Sequence, residues 1–405
     1  MKHAPIPVVI MNLGHSALGA ARALERLAPP ILVTDSRTQA YGIRSRRFEV
    51  VHTVDPRDDA SRYLEQLIGL AKRLGGPAVL FPTRDLDVVF INDHRAQLSP
   101  HYLIAQPEAH IVERIIDKHG LTMAAEQAGV PTPLTVRLVN DPSQDFGIPE
   151  AMRYPAIIKA IHAHETRLEG RWQRAGGKKG FVVGDRQSAI HEAARLLELG
   201  IDWYMQEFIP GPVENLLICG GYIGRSGELL GAYTARKILQ IPEDAGLGSI
   251  VETLDKPDLV EATQKVLRAV GYSGLFEAEY KTDELGTPRL IEINPRHWDQ
   301  HELGTACGVN LSELAYLDVT GNTPQAVVSR YQPAQWVDDT VFVYLLSTGR
   351  VGRLFSIYRQ RFRGKPGMRA LYSMADSQDK VVALDAYIEV FGGTLSGLWG
   401  KLRGR

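Results

Sequence analysis

Short apolar runs alternate along the chain with longer segments in which apolar residues recur at helical spacing. An apolar run at Pro7–Met11 is followed by a glycine-containing amphipathic segment and then by a second run at Ile31–Asp35. This succession predicts strand, turn, helix and strand, which is the opening of a doubly wound α/β domain. Gly14 and Gly19 would allow a tight turn and a closely packed helix. Their spacing is not GxGxxG, which argues against a dinucleotide-dependent oxidoreductase.

A further apolar run, Ala78–Pro82, predicts another strand of the same domain. It leads directly into Arg84 and Asp85. Polar residues at the carboxyl edge of such a sheet commonly face the ligand crevice, so we expect both side chains to contact substrate. Residues 111–129 are predicted to be helical, and the segment Val130–Pro133 ends this region because proline cannot continue a helix.

Residues 274–296 carry the most informative pattern in the chain. Two apolar-rich runs flank a polar turn, which predicts a β-hairpin. Side chains alternate between the two faces of a strand, so Glu292 and Asn294 are expected on one face and Ile291 and Ile293 on the other. One face of this hairpin is therefore predicted to be polar and the other to belong to the core.

The polar face of this hairpin is a candidate metal site. A turn centred on Leu285–Gly286 places Glu279 across from Glu292, and like charges in that position destabilise a sheet unless a cation lies between them. Two carboxylates and an amide, followed by Arg296, suit Mg²⁺, which prefers oxygen ligands and often shares them with nucleotide phosphates. We predict Glu279, Glu292 and Asn294 as the metal ligands. The alternative is an exposed face whose carboxylates are solvated or paired with nearby basic residues.

A phosphate site is predicted earlier in the chain. The apolar run Tyr154–Lys159 ends in a lysine, and a lysine beside a buried strand needs an anionic partner. The segment AGGKKG follows, in which Gly176, Gly177 and Gly180 free the backbone to wrap phosphates with its N–H groups. Its spacing is not that of a P-loop, and a flexible loop is the alternative.

The segment Tyr204–Glu214 predicts a strand that runs into a Pro-Gly bend. Such a bend exposes backbone polar groups between two lobes. A simple β-turn with incidental acidic residues is the alternative.

In this order, these motifs resemble the ATP-grasp superfamily of carboxylate–amine ligases. The segment NPRHWDQHELGTACGVNLSELAYLDVTG is similar to the amino-acid ligase branch that includes D-aspartate ligase. The resemblance runs from about residue 6 to about residue 320 and implies a mixed α/β and α+β chain with the ATP-grasp fold. The implied organisation has three parts: a Rossmann-like pre-ATP-grasp domain at 1–115, an ATP-grasp domain at 116–324 and a basic C-terminal extension at 325–405. The ATP-grasp domain would hold the nucleotide between a lid lobe at about 134–205 and a large lobe at about 206–324.

The resemblance also implies roles for individual residues. The expected ATP contacts are Lys118, Lys159, Gly176, Gly177, Gly180, Glu207, Phe208, Ile209 and Glu214, with Glu214 on the ribose hydroxyls. Catalytic roles beside the acyl phosphate fall to Arg236, Lys237 and Arg296, and Arg236 is preferred to Lys237 because a guanidinium can hold an oxyanion bidentately. Substrate contacts are expected from Arg84, Asp85, His297, Asp299 and His301.

The implied reaction is ATP-dependent amide formation. ATP, with Mg²⁺, would phosphorylate a carboxylate, and an amine would attack the acyl phosphate to release ADP and phosphate. An amino acid is the favoured substrate. The oligomeric state stays open, with a homodimer as one option because many relatives pair as dimers. Two alternatives stay open: a carboxylase of the biotin or bicarbonate type, and an ATP-binding regulatory module without catalysis.

Composition narrows the class further. The 46 Lys and Arg residues nearly balance the 47 Asp and Glu residues, so no global field points to nucleic acid. Cys219 and Cys307 are the only cysteines and form no CxxC motif, which indicates neither a disulfide framework nor a zinc site. We found no signal-like start and no apolar run of membrane-spanning length, so we expect a soluble cytoplasmic protein without stable membrane insertion.

The end of the chain carries a separate charge pattern. Residues 350–369 contain seven Arg and Lys residues and no acid. This segment could contact an anionic substrate, a membrane surface or RNA, or form a solvated face. The stretch 383–405 predicts a helix broken by glycines.

Overall fold

The computed structural model describes residues 4–403 except for residues 141–144, 162–170, 177, 179, 242–245, 323, 328–330 and 363–366. The predicted phosphate contact Gly177 therefore lies outside the described residues.

The first part of the chain forms a parallel sheet with helices. Its strands are β1 (Val8–Met11), β2 (Ile31–Asp35), β3 (Glu49–His52), β4 (Ala78–Phe81) and β5 (Tyr102–Ile104), in the order β3-β2-β1-β4-β5. All of its strand pairs are parallel. The accompanying helices are α1 (His15–Ala23), α2 (Ala60–Arg73), α3 (Asp85–Asp93) and α4 (Arg95–Leu98). Strands β1 and β4 are buried along their whole length, as expected when helices cover both faces of a parallel sheet.

The region predicted to be helical at 111–129 is helical in the structure, where it is divided into two helices. They are α5 (Ala109–Ile116) and α6 (Lys118–Gln127). Asp117 between them has an extended backbone, and its carboxylate accepts the N–H of Gly120 at 2.8 Å. This N-cap starts a new helix. Lys118 therefore becomes the first residue of α6 instead of a residue on a continuous helical surface.

A second, antiparallel sheet follows. Its strands are β6 (Thr135–Arg137), β7 (Ala156–Ala160), β8 (Phe181–Val183) and β9 (Trp203–Glu207), in the order β6-β9-β7-β8. Helices α7 (Arg171–Arg174) and α8 (Arg186–Leu197) belong to the same region. Trp203 and Met205 of β9 are buried in a core of their own with the apolar side chains of β7 and α8. This core makes the second sheet a separate layer.

The largest sheet has seven strands. They are β10 (Leu216–Ile223), β11 (Leu229–Ile241), β12 (Leu247–Leu254), β13 (Gly274–Thr282), β14 (Pro288–Asn294), β15 (Ala334–Val337) and β16 (Arg369–Tyr372), in the order β14-β13-β10-β11-β12-β15-β16. A short 3-10 helix, Val213–Asn215, precedes β10, and the remaining helices are α9 (Pro257–Ala269), α10 (Glu302–Ala306), α11 (Leu311–Val319), α12 (Thr340–Ser347), α13 (Val351–Phe362) and α14 (Lys380–Arg403). Strands β15 and β16 come from the last 80 or so residues, so the end of the chain extends the same sheet as the hairpin β13–β14.

The two faces of this sheet belong to different cores. One contains Leu217, Phe276 and Tyr280 and packs against α9. The other contains Ile218 and Tyr233 and is continuous with the core of the parallel sheet. The second face therefore meets the first part of the chain.

The predicted hairpin is present, with one correction. Glu279 lies opposite Glu292, as predicted, but a bulge next to this pair aligns Tyr280 with Leu290. Leu290 and Ile293 consequently enter the core, and the expectation that Ile291 would join Ile293 there is wrong. The extra residue in the bulge changes the face that the preceding side chains occupy.

Helix α14 is continuous, so the predicted break at its glycines is wrong. A glycine inside a helix costs roughly 0.5–1 kcal/mol relative to alanine but keeps its backbone N–H, so it weakens a helix without interrupting its hydrogen bonds. Among the described residues, no helix is long and apolar enough to cross a membrane.

Candidate active site

The polar face of the β13–β14 hairpin is the centre of the site. Glu277 lies opposite Asn294, and Glu279 lies opposite Glu292. The amide nitrogen of Asn294 donates to Oε2 of Glu277 at 3.1 Å. Because the amide nitrogen is used in this way, the amide oxygen of Asn294 is oriented as an acceptor that a cation could use.

Two lysines neutralise the opposed carboxylates. Nζ of Lys118, at the start of α6, donates to Oε2 of Glu292 at 3.0 Å. Nζ of Lys237, on β11, donates to Oε2 of Glu279 at 2.8 Å. The Lys118 ammonium holds the pKa of Glu292 well below its ordinary value. Burial opposes the charge of Lys237, but the adjacent Glu279 outweighs it and raises the pKa of Lys237. The site is therefore a preformed set of paired charges.

Glu277 is a member of this site that the sequence did not single out. Its side chain is buried, and burial, followed by repulsion from Glu279, raises its pKa to about 8. The available signal was its spacing of two residues from Glu279, which puts both carboxyls on one face of β13. A carboxyl of this kind carries a proton near neutral pH.

Lys159 approaches the same cluster from the second sheet. It is half-buried on β7, opposite Tyr204 on β9, and its charge contributes to the lowered pKa of Glu292. Nζ of Lys118 lies 5.9 Å from the centre of the Tyr204 ring. Helix α6 and the two sheets thus place three lysines around Glu279 and Glu292.

The glycine-rich segment lies directly against Lys159. A Cβ atom built on Gly180 would be 3.2 Å from Cγ of Lys159 and 2.9 Å from Cδ1 of Ile157. Gly176 has a φ of +99°, a conformation that favours glycine. Both glycines therefore have a conformational or steric reason to be glycine, and Gly180 adjoins a predicted ATP contact.

The predicted adenine hinge follows β9. The carboxylate of Glu207 accepts the N–H of Leu134 at 3.1 Å, and the N–H of Phe208 donates to the carbonyl of Pro155 at 3.0 Å. Glu207 therefore ties β9 to the start of β6, and Phe208 and Ile209 are half-buried beside it. Their adenine role stays a prediction.

Glu214 lies in the 3-10 helix that follows the hinge. It is half-buried, and it opposes the lowering of the pKa of Lys281 that burial causes. The ammonium of Lys281 donates to the carbonyls of Gly211 and Pro212, each at 3.0 Å. These contacts anchor the bend beside Glu214, whose ribose role stays a prediction.

Arg236 does not join the cluster. In the strand register it lies opposite Leu217 and Glu252, on the face of the sheet that carries Tyr280. Its guanidinium donates to Glu252 at 2.7 Å. Successive residues of a strand point to opposite faces, so Lys237 reaches Glu279 and its neighbour cannot. Arg236 therefore lies away from the opposed carboxylates, and the catalytic roles of Arg236 and Lys237 stay predictions.

The parallel sheet contributes one of its two predicted polar residues. The guanidinium of Arg296 donates to Oδ1 of Asp85 at 2.6 Å, which joins the exit of β14 to the start of α3. Arg84 instead turns back within α3 to Asp87, with an NH2–Oδ1 distance of 2.7 Å. Asp85 is therefore beside the cluster, and Arg84 is engaged elsewhere.

The two histidines predicted to contact substrate are buried. The backbone N–H of His297 donates to the carbonyl of Pro82, and its Nε2 pairs with the hydroxyl of Ser312 at 3.1 Å. Nδ1 of His301 is 2.6 Å from the carbonyl of Trp298. Burial lowers the pKa of His301 to about 4 and that of His297 well below its ordinary value. Both are neutral packing residues at the contact between the parallel sheet and the large sheet, so the substrate prediction for them is corrected.

Asp299 occupies a different environment. It is half-buried, and its Oδ1 accepts the hydroxyl of Ser16 at 2.9 Å at the start of α1. Nearby, Nε2 of His15 is 3.6 Å from Asp338. Burial opposes the charge of His15, but Asp338 outweighs it and raises the pKa of His15. No local pattern pointed to Asp338, because the contact joins residues more than 300 positions apart.

The hairpin fits Mg²⁺ in part. In the described residues no three His, Cys, Asp or Glu side chains form a group that could hold a metal ion. The available donors are two carboxylates and an amide, and Mg²⁺ is commonly held by one or two carboxylates with substrate phosphates completing its shell. Glu279, Glu292 and Asn294 thus suit a cation that arrives with a nucleotide.

Comparisons with known proteins agree with this geometry. Residues 230–340 match the family model described as ATP-grasp in the biosynthetic pathway with Ter operon. No curated protein matches the sequence significantly.

Several solved structures share the fold. An L-amino acid ligase from Bacillus licheniformis has 13% identity and a TM-score of 0.59, covering 78% of this chain and 75% of that one. N5-carboxyaminoimidazole synthetase from Staphylococcus aureus, complexed with ADP, has 14% identity and a TM-score of 0.61, covering 82% of each chain. The biotin carboxylase domain of 2-oxoglutarate carboxylase from Hydrogenobacter thermophilus, in complex with MgADP and bicarbonate, has 17% identity and a TM-score of 0.60, covering 81% of this chain and 73% of that one.

These findings define the class of the protein. The chain has the ATP-grasp fold, and its residues 230–340 match an ATP-grasp family model.

Proposed function

We propose that this protein is an ATP-dependent carboxylate–amine ligase that forms an amide through an acyl phosphate and releases ADP and phosphate. The observation that carries this proposal is the polar face of the hairpin, where Glu279, Glu292 and Asn294 meet Lys118 and Lys237. A carboxylate that approaches a triphosphate must overcome repulsion between anions. Cationic groups fixed in advance around the reacting phosphate reduce that repulsion.

Each side chain has a definite task in this mechanism. Lys118, Lys159 and Lys237 bind the phosphates, and Arg296 holds the oxyanion of the substrate carboxylate. Glu279, Glu292 and Asn294 would hold Mg²⁺, which supplies charge neutralisation at the phosphates when it is bound. Phosphate binding would draw Lys118 and Lys237 away from the carboxylates with which they pair.

The amine is assigned to the junction with the parallel sheet. Asp299 lies five residues after the end of β14, and its carboxylate accepts a hydrogen bond from the hydroxyl of Ser16. A fixed carboxylate attracts an ammonium group and can accept its proton before attack. This assignment, together with the fold shared with an L-amino acid ligase, supports an amino acid as one substrate. We place the enzyme in the cytoplasm, where ATP is supplied.

Nucleotide product analysis tests the proposal. The purified protein is incubated with Mg·ATP and with pools of amino acids and small carboxylates, and the nucleotides are separated by chromatography. ADP formed only with particular pools supports acyl-phosphate ligation, and dividing those pools identifies both substrates. AMP as the product would overturn the mechanism.

A matched pair of variants locates the reaction at the hairpin. Glu292→Gln should lower turnover by about 10²–10³-fold, the typical loss when one preorganised charge contact is removed. Glu284→Gln, in the exposed turn of the same hairpin, should leave turnover near the wild-type value. A Glu292→Gln enzyme that keeps most of its activity would contradict the metal assignment.

A carboxylase is the second candidate, because a biotin carboxylase domain bound to MgADP and bicarbonate has the same fold. It predicts ADP release that depends on bicarbonate and does not require an amine. Omitting bicarbonate from the assay therefore separates the two candidates.

A further inference from the structure

The end of the chain has a charge unlike that of the whole. Residues 350–405 contain 11 Lys and Arg residues and four Asp and Glu residues, a net charge of +7, whereas the whole chain has a net charge of −1. The rest of the chain is therefore negative. A positive segment on such a protein is a feature that needs an anionic partner or a structural reason.

The four acids of this segment are occupied within the molecule. All four contact the stretch of the parallel-sheet domain between residues 41 and 47. The contacts are Asp376 with Arg47, Asp379 with Ser45, Asp385 with Arg44, and Glu389 with the backbone N–H of Tyr41. These pairs dock β16 and α14 on the first domain. They also remove the negative charges of the segment from its outward surface.

The outward surface is apolar as well as basic. On α14, Leu384, Ile388 and Phe391 are 55%, 61% and 50% exposed, and their spacing of four and three residues puts them on one side of the helix. On α13, Val351 and Phe355 are 56% and 63% exposed. Helix α12 packs against both α13 and α14 and so links the two helices. We call these five side chains the outward apolar set.

The inward side of α14 shows that this exposure is not a consequence of poor packing. Val382 and Ala386 are buried in the core that the large sheet shares with the parallel sheet. The helix therefore has one side that is packed into the core and another that exposes large apolar side chains to solvent. Exposed apolar residues grouped in this way mark interaction sites.

We propose that the outward apolar set and the basic residues around it form a docking surface for an anionic lipid bilayer. Helices that lie on a membrane combine large apolar side chains on one side with Lys and Arg at its margins. Arg350 next to Val351, and Arg369 at the start of β16, are exposed and supply such charges. The attraction of each basic residue to anionic lipid adds to the insertion of the apolar set.

The positive charge and the apolar side chains of this surface together favour an anionic bilayer over a second copy of the chain or a nucleic acid. A second copy of the chain docking through the same surface would bring two segments of charge +7 together, which is repulsive. A nucleic acid would satisfy the arginines but would leave the aliphatic Leu384 and Ile388 without an apolar partner. An anionic bilayer satisfies both parts of the surface.

Vesicle co-flotation of the full chain tests the proposal. We compare vesicles of phosphatidylcholine mixed with phosphatidylglycerol with vesicles of phosphatidylcholine alone, without ATP, so that the result does not depend on catalysis. The protein should float with the anionic vesicles. Binding should fall severalfold at ~1 M salt, where the Debye length is about 3 Å.

Variants separate the surface from general stickiness. The double variant Ile388→Glu, Phe391→Glu should bind anionic vesicles at least about tenfold more weakly, because two apolar groups no longer insert. Leu285→Glu, which changes an 88% exposed leucine in the hairpin turn, serves as the control and should bind like the wild type. Thermal unfolding of both variants near the wild-type temperature shows that the fold is intact.

Four results would overturn the proposal. The first is equal binding to neutral and anionic vesicles, and the second is equal binding by the double variant and the wild type. The third is an absence of vesicle binding together with a shift from dimer to monomer in the double variant, which would assign the surface to self-association. Binding to a DNA duplex that the double variant retains, without binding to vesicles, would likewise replace lipid by nucleic acid.

Discussion

Arg236 and Lys237 show how much of the chemistry depends on a single position along a strand. Both are basic, both follow the same apolar run, and a guanidinium is the better bidentate partner for an oxyanion. Geometry overrides that preference, since only Lys237 shares the face of Glu279. Arg236 closes an ion pair with Glu252 on the other face.

This difference predicts opposite outcomes for adjacent substitutions. Lys237→Met should lower turnover by about 10²–10³-fold, because it removes a fixed cation from the reacting phosphate. Arg236→Met should change turnover by less than about threefold and act instead on stability, because the ion pair between Arg236 and Glu252 is lost away from the site. Steady-state rates and urea unfolding of the two variants check both parts. Equal losses of turnover would mean that Arg236 reaches the substrate after all.

Glu277, which the sequence did not single out, also shows that the position of a side chain in the fold determines its chemistry. Composition gives no reason to separate it from Glu279, since the two carboxylates are two positions apart on one strand. Burial makes the difference. Glu277 holds the amide of Asn294, and its raised pKa sets it apart from Glu292, whose pKa is lowered by Lys118.

At the scale of elements, the glycine-rich segment and β7 act as one unit. Gly180 lies so close to Ile157 and Lys159 that any side chain at this position would displace one of them. Because Lys159 also contributes to the lowered pKa of Glu292, its position matters to the cluster on the large sheet. The loop therefore influences the site through β7 as well as through its own backbone.

Gly180→Ala should raise the KM for ATP by about three- to tenfold with a smaller effect on kcat, since phosphate binding in the ground state is disturbed first. Gly184→Ala, just beyond the other end of β8, meets no atom within 4 Å and is the matched control. Initial rates over a range of ATP concentrations measure both. An unchanged KM in the Gly180 variant would show that Lys159 does not respond to the loop.

Elements also show what the sequence could and could not predict. Alternation and turn chemistry predicted the opposition of Glu279 and Glu292 correctly, because the hairpin is local. The bulge that moves Ile291 out of the core could not be predicted from the alternation of apolar and polar residues, since one extra residue in a strand leaves the composition unchanged. The continuous α14 was missed because a glycine only weakens a helix and keeps the backbone N–H that its hydrogen bonds need.

At the scale of the whole molecule, the site depends on contacts between distant segments. Asp85 reaches Arg296 across 211 positions, and Ser16 reaches Asp299 across 283. Local patterns in a single sequence contain no information about such pairs. This is why the opposition of Glu279 and Glu292 could be predicted from the hairpin alone, whereas the surroundings of Asp299 and the burial of His297 and His301 could not.

Those two histidines make the junction between the parallel sheet and the large sheet sensitive to acid. A Cβ atom built on Gly19 would be 2.9 Å from the ring of His301, and the backbone of His297 is bonded to Pro82. Both rings must stay neutral, since burial holds the pKa of His301 at about 4 and that of His297 well below its ordinary value of 6.5. The unfolded chain takes up protons at both histidines below pH 6.5, and the folded chain does not. The contribution of the two neutral histidines to the free energy of unfolding is therefore fully present above pH 6.5 and is lost as the pH falls towards 4.

His301→Gln removes one of these protonation sites while keeping a group that can donate to the carbonyl of Trp298. At pH 7 the variant should be less stable than the wild type, because its packing against Gly19 is changed. Towards pH 5 the deficit should shrink by roughly 1.4 kcal/mol per pH unit below 6.5, because only the wild type still has to exclude that proton. Urea unfolding at pH 7, 6 and 5 measures the difference, with His191→Gln on the exposed side of α8 as the control for the substitution itself. A deficit that stays constant across this range would show that His301 is not held neutral at the junction.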